Sequence, residues 1–146
     1  MNTIQIHDKK FTLSITEAEI QAAVKRVGEA INRDMPDANP LFICVLNGAF
    51  MFAGDLMKTV NFPCEITFVK LSSYEGLMTT GSVKEVIGLN ESVVGRNVVV
   101  VEDIVDTGIT MEKIISSLQA KGAKSIKVAT FLQKPEALQR DIQVDY

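Results

Sequence analysis

Residues 98 to 110, with the sequence Val-Val-Val-Val-Glu-Asp-Ile-Val-Asp-Thr-Gly-Ile-Thr, combine residue types that can do chemistry. The four valines predict a strand that is buried on both faces. Two adjacent carboxylates, Glu102 and Asp103, follow the valines, and Asp106 comes three residues later. A single Asp or Thr at this place would be explained as the cap of a helix. Three acids at the end of a buried strand exceed that need and indicate a binding or catalytic site.

The last residues of this segment suit the binding of a phosphate group. Thr107 and Thr110 supply hydroxyls, and Gly108 lets the backbone approach a ligand closely. The helix that begins here adds unpaired N–H groups and the positive end of its dipole. The neighbouring acids are poorly suited to phosphate itself. They suit ribose hydroxyls, a magnesium ion or the acceptance of a proton.

The surrounding secondary structure must position these residues. Thr16 and Glu19 have the spacing of a capping box, which predicts a helix from there to about Asp34. We expect strands at 41–46, 66–71, 83–87, 98–101 and 125–132, a helical stretch with Met51, Phe52, Leu56 and Val60 on one side, a helix around 111–118 with Gly122 as its C-cap, and a further strand, or the start of one, at 142–146. This alternation predicts an α/β fold with an open, mainly parallel twisted sheet flanked by helices, in one domain over residues 1–146. Ligands of such sheets bind outside the carboxyl ends of the strands.

The composition argues against several classes of protein. The 146 residues carry a net charge of -3, which provides no basic surface for nucleic acid or an anionic membrane. No apolar run reaches the roughly 18 residues of a membrane helix, and no signal-peptide pattern is visible. Cys44 and Cys64 lie in apolar runs and are typical of reduced core thiols. We therefore expect a soluble cytoplasmic protein.

The segment from 98 to 110 resembles the phosphoribosyl-pyrophosphate (PRPP) binding motif of the type I phosphoribosyltransferases, in the form found in the 6-oxopurine branch. The resemblance implies transfer of a phosphoribosyl group from PRPP to hypoxanthine, guanine or both, giving IMP or GMP and pyrophosphate. It implies that Glu102 and Asp103 hold the ribose 2′- and 3′-hydroxyls, directly or through Mg²⁺. It also implies that Asp106 is the general base at purine N7. The 5′-phosphate would be wrapped by Asp106, Thr107, Gly108, Ile109 and Thr110.

Three further segments extend the resemblance. The turn formed by Leu46, Asn47 and Gly48 matches the family's pyrophosphate loop, where family members often have a cis peptide; the Leu46–Asn47 bond is the candidate. Family members often carry Lys or Arg at the position of Asn47. Ser73 and Tyr74 match a mobile lid that would keep water from an oxocarbenium-like transition state. Lys134 matches a lysine that hydrogen-bonds the purine 6-oxo group.

The resemblance runs from about Leu13 to Tyr146, and family members continue further with strands that read the purine. We therefore expect a truncated or partial sequence, weak activity of the 146-residue chain and an unstable open sheet edge. A complete version is expected to form a homodimer or homotetramer. The sequence does not rank hypoxanthine, guanine and xanthine.

Two other functions are compatible with parts of the pattern. One is a regulatory module that binds PRPP or a nucleotide without transferring the sugar. The other is a phosphotransferase with a nucleophilic Asp, although its usual Asp-x-Asp spacing is absent.

Overall fold

The computed structural model describes residues 3–72 and 84–146. The strands are β1 (Thr3–Ile6), β2 (Lys9–Thr12), β3 (Leu41–Leu46), β4 (Glu65–Ser72), β5 (Lys84–Ile87), β6 (Asn97–Val105) and β7 (Ser125–Gln133). The helices are α1 (Glu17–Asp34), α2 (Phe50–Met57) and α3 (Ile109–Ala120), followed after β7 by a single 3-10 turn, Pro135–Ala137. Among the residues described, no helix is both long and apolar enough to cross a membrane.

Five of the strands form one sheet in the order β5-β4-β3-β6-β7. The pairs β3–β4, β3–β6 and β6–β7 are parallel, and only β5 runs antiparallel to its neighbour β4. This arrangement confirms the predicted open, mainly parallel sheet. The carboxyl ends of β3 and β6 consequently lie side by side at one edge of the sheet.

The central strands are buried on both faces because each face is covered by helices. Alternate residues of β3 and β6 contribute to two separate cores. One core contains Leu41, Ile43, Val98 and Val100 with Met111, Ile114 and Leu118 of α3. The other contains Phe42, Cys44, Val99 and Val101 with Val24 and Ile31 of α1 and Phe52, Ala53 and Leu56 of α2. The four valines of β6 are all fully buried, as the sequence predicted.

The ends of the helices follow local rules. The capping box of α1 is formed as predicted: Oγ1 of Thr16 accepts from the N–H of Glu19, and the Glu19 carboxylate accepts from the N–H of Thr16 at 2.7 Å. After α3, Gly122 has a φ of +88° and so provides the left-handed residue that the helix end needs.

The buried side of α2 differs from the predicted one. Phe52 and Leu56 are buried, but Met51 is 65% exposed.

The remaining differences lie at the two ends of the described chain. Residues 3–12 form an antiparallel hairpin, β1–β2, that the sequence analysis did not predict and whose residues are all exposed. Residues 142–146 do not form the expected strand. The N–H of Val128 donates to the carboxylate of Asp145 at 2.8 Å and not to a backbone carbonyl, although the N–H groups of Asp145 and Tyr146 both donate to the carbonyl of Val128. Tyr146 accepts the N–H of Thr130 at 3.0 Å, which leaves this part of the β7 edge partly covered.

Candidate active site

The candidate site lies where β6 extends beyond its neighbour β3. The sequence analysis placed the end of this strand at Val101, but β6 continues to Val105. Pairing with β3 stops at Val101, opposite Cys44, whereas pairing with β7 continues to Val105. Glu102 and Asp103 therefore belong to the strand and not to a loop. They lie beside the last residues of β3, where the pairing of β6 with β3 has already stopped.

The turn after β3 contacts this acidic pair. A Cβ atom built on Gly48 would overlap the carboxylate of Asp103, so only glycine leaves room for that side chain. The Leu46–Asn47 peptide is cis, in agreement with the expectation for this bond. The structure thus brings the predicted pyrophosphate loop and the predicted ribose acids into contact.

Glu102 is a buried carboxyl, with 9% of its surface exposed. Burial raises its pKa to about 8, and the interaction with the side chain of Asp103 adds to the increase. Oε1 of Glu102 accepts the N–H of Asp103 at 3.0 Å, and Oδ1 of Asp103 accepts the N–H of Ile104 at 2.8 Å. Glu102 is therefore largely protonated near neutral pH when no cation or ligand is bound.

The turn after β6, which the sequence predicted as a phosphate cradle, leads directly into α3. Gly108 caps α3 with a φ of +82°, a left-handed conformation that favours glycine. Oγ1 of Thr107 accepts the N–H of Ile109 at 3.3 Å. One open cavity is lined by Glu102, Asp103, Ile104, Val105, Asp106, Thr107, Gly108, Thr110 and Met111. The carboxylates and the start of α3 thus share a single cavity.

A backbone hydrogen bond between the end of β6 and the segment after β7 brings Lys134 close to Asp106. The N–H of Lys134 donates to the carbonyl of Val105 at 2.9 Å, which fixes the start of the segment after β7 against the end of β6. Nζ of Lys134 is 4.0 Å from Oδ2 of Asp106, and both side chains are about half exposed. The predicted purine-binding lysine and the predicted general base are therefore neighbours.

Two predicted residues and one missed feature complete this description. Ser73 and Tyr74, the proposed lid pair, lie outside the described residues. The segment after β7 was not predicted from the sequence; in it the N–H of Gln139 donates to the carbonyl of Thr107 at 2.8 Å. The side chains of Leu138 and Ile142 also lie next to Gly108, but no motif marks these contacts.

The two carboxylates of Glu102 and Asp103 are compatible with Mg²⁺ in the presence of a phosphate substrate. No cluster of three or more His, Cys, Asp or Glu side chains arranged to hold a metal occurs within residues 3–72 and 84–146. Mg²⁺ is usually bound by only one or two carboxylates together with water and substrate phosphates. The donor set therefore fits a substrate-assisted metal site better than a permanent protein cage.

Known proteins similar to this chain agree on one family. The family model for the phosphoribosyl transferase domain matches residues 14–146. The hypoxanthine-guanine phosphoribosyltransferase of Bacillus subtilis is 38% identical over 141 residues, covering 96% of this chain and 78% of that protein. The hypoxanthine phosphoribosyltransferase of Buchnera aphidicola is 35% identical over 135 residues, covering 90% and 76%.

Solved structures show the same relationship. A crystal structure of a hypoxanthine-guanine phosphoribosyltransferase from Bacillus anthracis has a TM-score of 0.85 at 34% identity, covering 93% of this chain and 79% of that chain. A hypoxanthine phosphoribosyltransferase from Staphylococcus aureus gives a TM-score of 0.86 at 32% identity, covering 92% and 74%. Sequence, fold and site geometry together show that this chain belongs to the phosphoribosyl transferase domain family, in its hypoxanthine-guanine branch.

Proposed function

We propose that the protein transfers the 5-phosphoribosyl group of PRPP to hypoxanthine, guanine or both, giving IMP or GMP and pyrophosphate in purine salvage. The observation that carries this proposal is the contact between the turn after β3 and the acids of β6, beside the N-terminus of α3. Pyrophosphate, ribose and 5′-phosphate need three adjacent binding regions, and this edge of the sheet offers them. The named relatives are transferases, so a regulatory module without transfer activity gains no support.

The phosphate end of the substrate is assigned to the start of α3. Backbone N–H groups at Thr107–Thr110 and the hydroxyls of Thr107 and Thr110 would donate to the 5′-phosphate. Gly108 keeps the turn open to the ligand through its left-handed conformation. Leu46, Asn47 and Gly48 would bind the leaving pyrophosphate largely through backbone groups. Asn47 carries no charge there.

Glu102 and Asp103 are assigned to the ribose hydroxyls. One oxygen of each carboxyl accepts a backbone N–H, and we assign the other oxygen to a ribose hydroxyl or a cation. When bound, Mg²⁺ would offset the negative charge that develops on the leaving pyrophosphate. Both residues could hold that ion, and ionised Glu102 would do so better than the protonated form.

Asp106 and Lys134 are assigned to the purine. As N9 of the base forms a bond to C1′ of the ribose, the bond from C1′ to the pyrophosphate oxygen breaks. Asp106 accepts the proton lost from N7, and Lys134 donates a hydrogen bond to the 6-oxo group. An ammonium cannot receive a hydrogen bond from the amino group of adenine, so this contact favours oxopurines. Ser73 and Tyr74 would cover the site during the transfer.

Three coarser features of the protein are also proposed. The 146 residues are taken as one domain, because nearly all of them belong to the matched family segment. A cytoplasmic location and a homo-oligomeric state are proposed because the resemblance to the family implies them. Light scattering of the purified protein would give the oligomeric state directly.

Asp106→Asn tests the proposed chemistry. The amide has nearly the same shape but cannot accept the N7 proton, so kcat should fall by about a hundredfold or more. The dissociation constant for PRPP should change by less than about threefold, since the phosphate donors are mainly backbone groups. Steady-state kinetics with hypoxanthine and calorimetric titration of PRPP in the presence of Mg²⁺ measure the two quantities.

The matched control is Asp37→Asn, which removes one carboxylate from the exposed loop before β3, at the opposite edge of the sheet. This variant should keep the kcat of the wild type. Unchanged turnover in Asp106→Asn would remove Asp106 as the base. A wild-type protein without affinity for PRPP would refute the proposed function as a whole.

A further inference from the structure

The segment that follows β7, residues 134–142, packs against the outside of the phosphate-binding turn. Its backbone bonds to the turn through Gln139, whose N–H donates to the carbonyl of Thr107 at 2.8 Å. A Cβ on Gly108 would lie 3.4 Å from the Cβ of Arg140, which is ordinary van der Waals contact. The turn and this segment therefore form one packed unit.

Arg140 also forms an ion pair with the first turn of α3. Its Nε is 2.8 Å from Oε2 of Glu112, while 43% of the Arg140 side chain and 48% of the Glu112 side chain are exposed. The N–H of Glu112 donates to the carbonyl of Gly108 at 2.9 Å, which places Glu112 one turn after the cap. Ion pairs this exposed contribute little to folding stability. Loss of this pair should therefore leave the fold intact, so that its effect on ligand binding can be measured separately.

The charge of Glu112 is unfavourable for a helix start that binds an anion. The N-terminus of α3 attracts a phosphate because its dipole and its free N–H groups are positive. A carboxylate in the first turn cancels part of that potential. The cavity already contains the carboxyls of Glu102, Asp103 and Asp106. A further unpaired negative charge would reduce the affinity for a phosphate substrate.

We propose that Arg140 is a positioning residue that neutralises Glu112 and thereby preserves the affinity of the α3 N-terminus for the 5′-phosphate of PRPP. The inference rests on the proposed function, because it assigns that phosphate to α3. Arg140 acts by balancing the charge of Glu112 at the start of α3, and it is not among the residues that line the cavity. The segment after β7 thus carries both Lys134, assigned to the purine, and the cation that balances the phosphate site.

A double-mutant cycle tests this proposal by equilibrium titration of PRPP in the presence of Mg²⁺. Arg140→Gln should weaken PRPP binding about two- to fivefold at low ionic strength, since it leaves the carboxylate uncompensated. Glu112→Gln should tighten binding by a similar factor, because Arg140 is then left as a free cation. The variant with both changes should lie within about twofold of the wild type, and Arg140→Lys should retain most of the affinity. All differences should shrink as salt is raised.

The control for charge is Arg33→Gln, which breaks a similar exposed pair with Asp34, 3.3 Å apart, at the end of α1. Because α1 leads into β3, this pair lies at the amino ends of the strands, and PRPP binding should not change. The melting temperatures of all variants should agree within about 3 °C, which separates a charge effect from loss of structure.

The signs of the changes decide the outcome. Equal affinity in Arg140→Gln and the wild type would overturn the role of Arg140, as would a double variant no better than Arg140→Gln. If Arg140→Gln is unstable, Glu112→Gln alone tests the prediction. Unchanged PRPP binding in Glu112→Gln would also overturn the role of Arg140. Absence of PRPP binding by the wild-type protein would contradict the proposed function itself. That result refutes the proposed function and this inference together.

Discussion

Glu102 has an unusual environment for a carboxyl, because it lies on a strand that is buried up to that residue. Burial raises its pKa from 4.5 to about 8. The folded state therefore binds this proton more tightly than the unfolded chain does. This difference in proton binding stabilises the folded state fully below about pH 4.5, and the stabilisation is lost as the pH rises towards about 8.

Glu102→Gln should remove this pH dependence, since an amide does not ionise. We expect the free energy of unfolding of the variant, relative to the wild type, to rise by about 3 kcal/mol between pH 5.5 and pH 8. The comparison requires urea denaturation in metal-free buffer. Glu29→Gln, which changes an exposed carboxylate of α1, should show no such trend. A constant difference between Glu102→Gln and the wild type would mean that Glu102 is already ionised at pH 5.5.

Lys134 tests the choice of purine. Lys134→Ala should lower kcat/KM for hypoxanthine and for guanine by about tenfold or more, the usual effect of losing a charged hydrogen bond. The weak, half-exposed contact with Asp106 at 4.0 Å should contribute little to this loss. Lys58→Ala, which breaks an exposed pair with Asp55, is the matched control and should leave both rates unchanged. Unaltered rates with both bases in Lys134→Ala would exclude the oxopurine role.

At the level of elements, α1 and α2 approach closely at one glycine. A Cβ on Gly28 would overlap the side chain of Thr59, which follows α2 and whose Oγ1 donates to the carbonyl of Leu56 at 2.7 Å. Asn32, one turn further along α1, donates to the carbonyl of Thr59 at 2.8 Å. The contact between the two helices thus depends on the missing side chain at position 28.

Two glycine substitutions distinguish this contact from helix propensity. Gly28→Ala should destabilise the protein by about 1–3 kcal/mol, because the methyl group overpacks the contact with Thr59. Gly54→Ala in α2 should stabilise it by about 0.5–1 kcal/mol, since nothing lies within 4 Å of the added Cβ and alanine favours a helix. Chemical denaturation measures both. Stabilisation by Gly28→Ala would contradict the close approach.

The sequence predicted most elements because their signals are local. The capping box of α1, the valines of β6 and the glycine after α3 each depend on neighbouring residues. The end of β6 was not predictable in this way. Its extension from Val101 to Val105 depends on pairing with β7, which is distant along the chain. The exposure of Met51 similarly reflects which side of α2 the sheet leaves uncovered.

At the level of the whole molecule, the resemblance to a family supplied what local patterns could not. Strand alternation predicted the class of fold, while the roles of Asn47, Asp106 and Lys134 came from matching segments far apart in sequence. The structure places these segments at one edge of the sheet. The packing of residues 134–142 on the phosphate-binding turn was not predicted, because a backbone hydrogen bond and scattered side chains such as Leu138 and Ile142 form no recognisable local pattern.

The contact between Gly48 and Asp103 limits how such a site can evolve. Gly48 belongs to the turn after β3 and Asp103 to strand β6, yet any side chain added at position 48 must displace the carboxylate of Asp103. In the proposed binding mode, a mutation that alters the binding of the pyrophosphate leaving group therefore also alters the binding of the ribose. Adaptation to a new phosphorylated donor would need paired changes at positions 48 and 103, and single substitutions at position 48 should be poor intermediates.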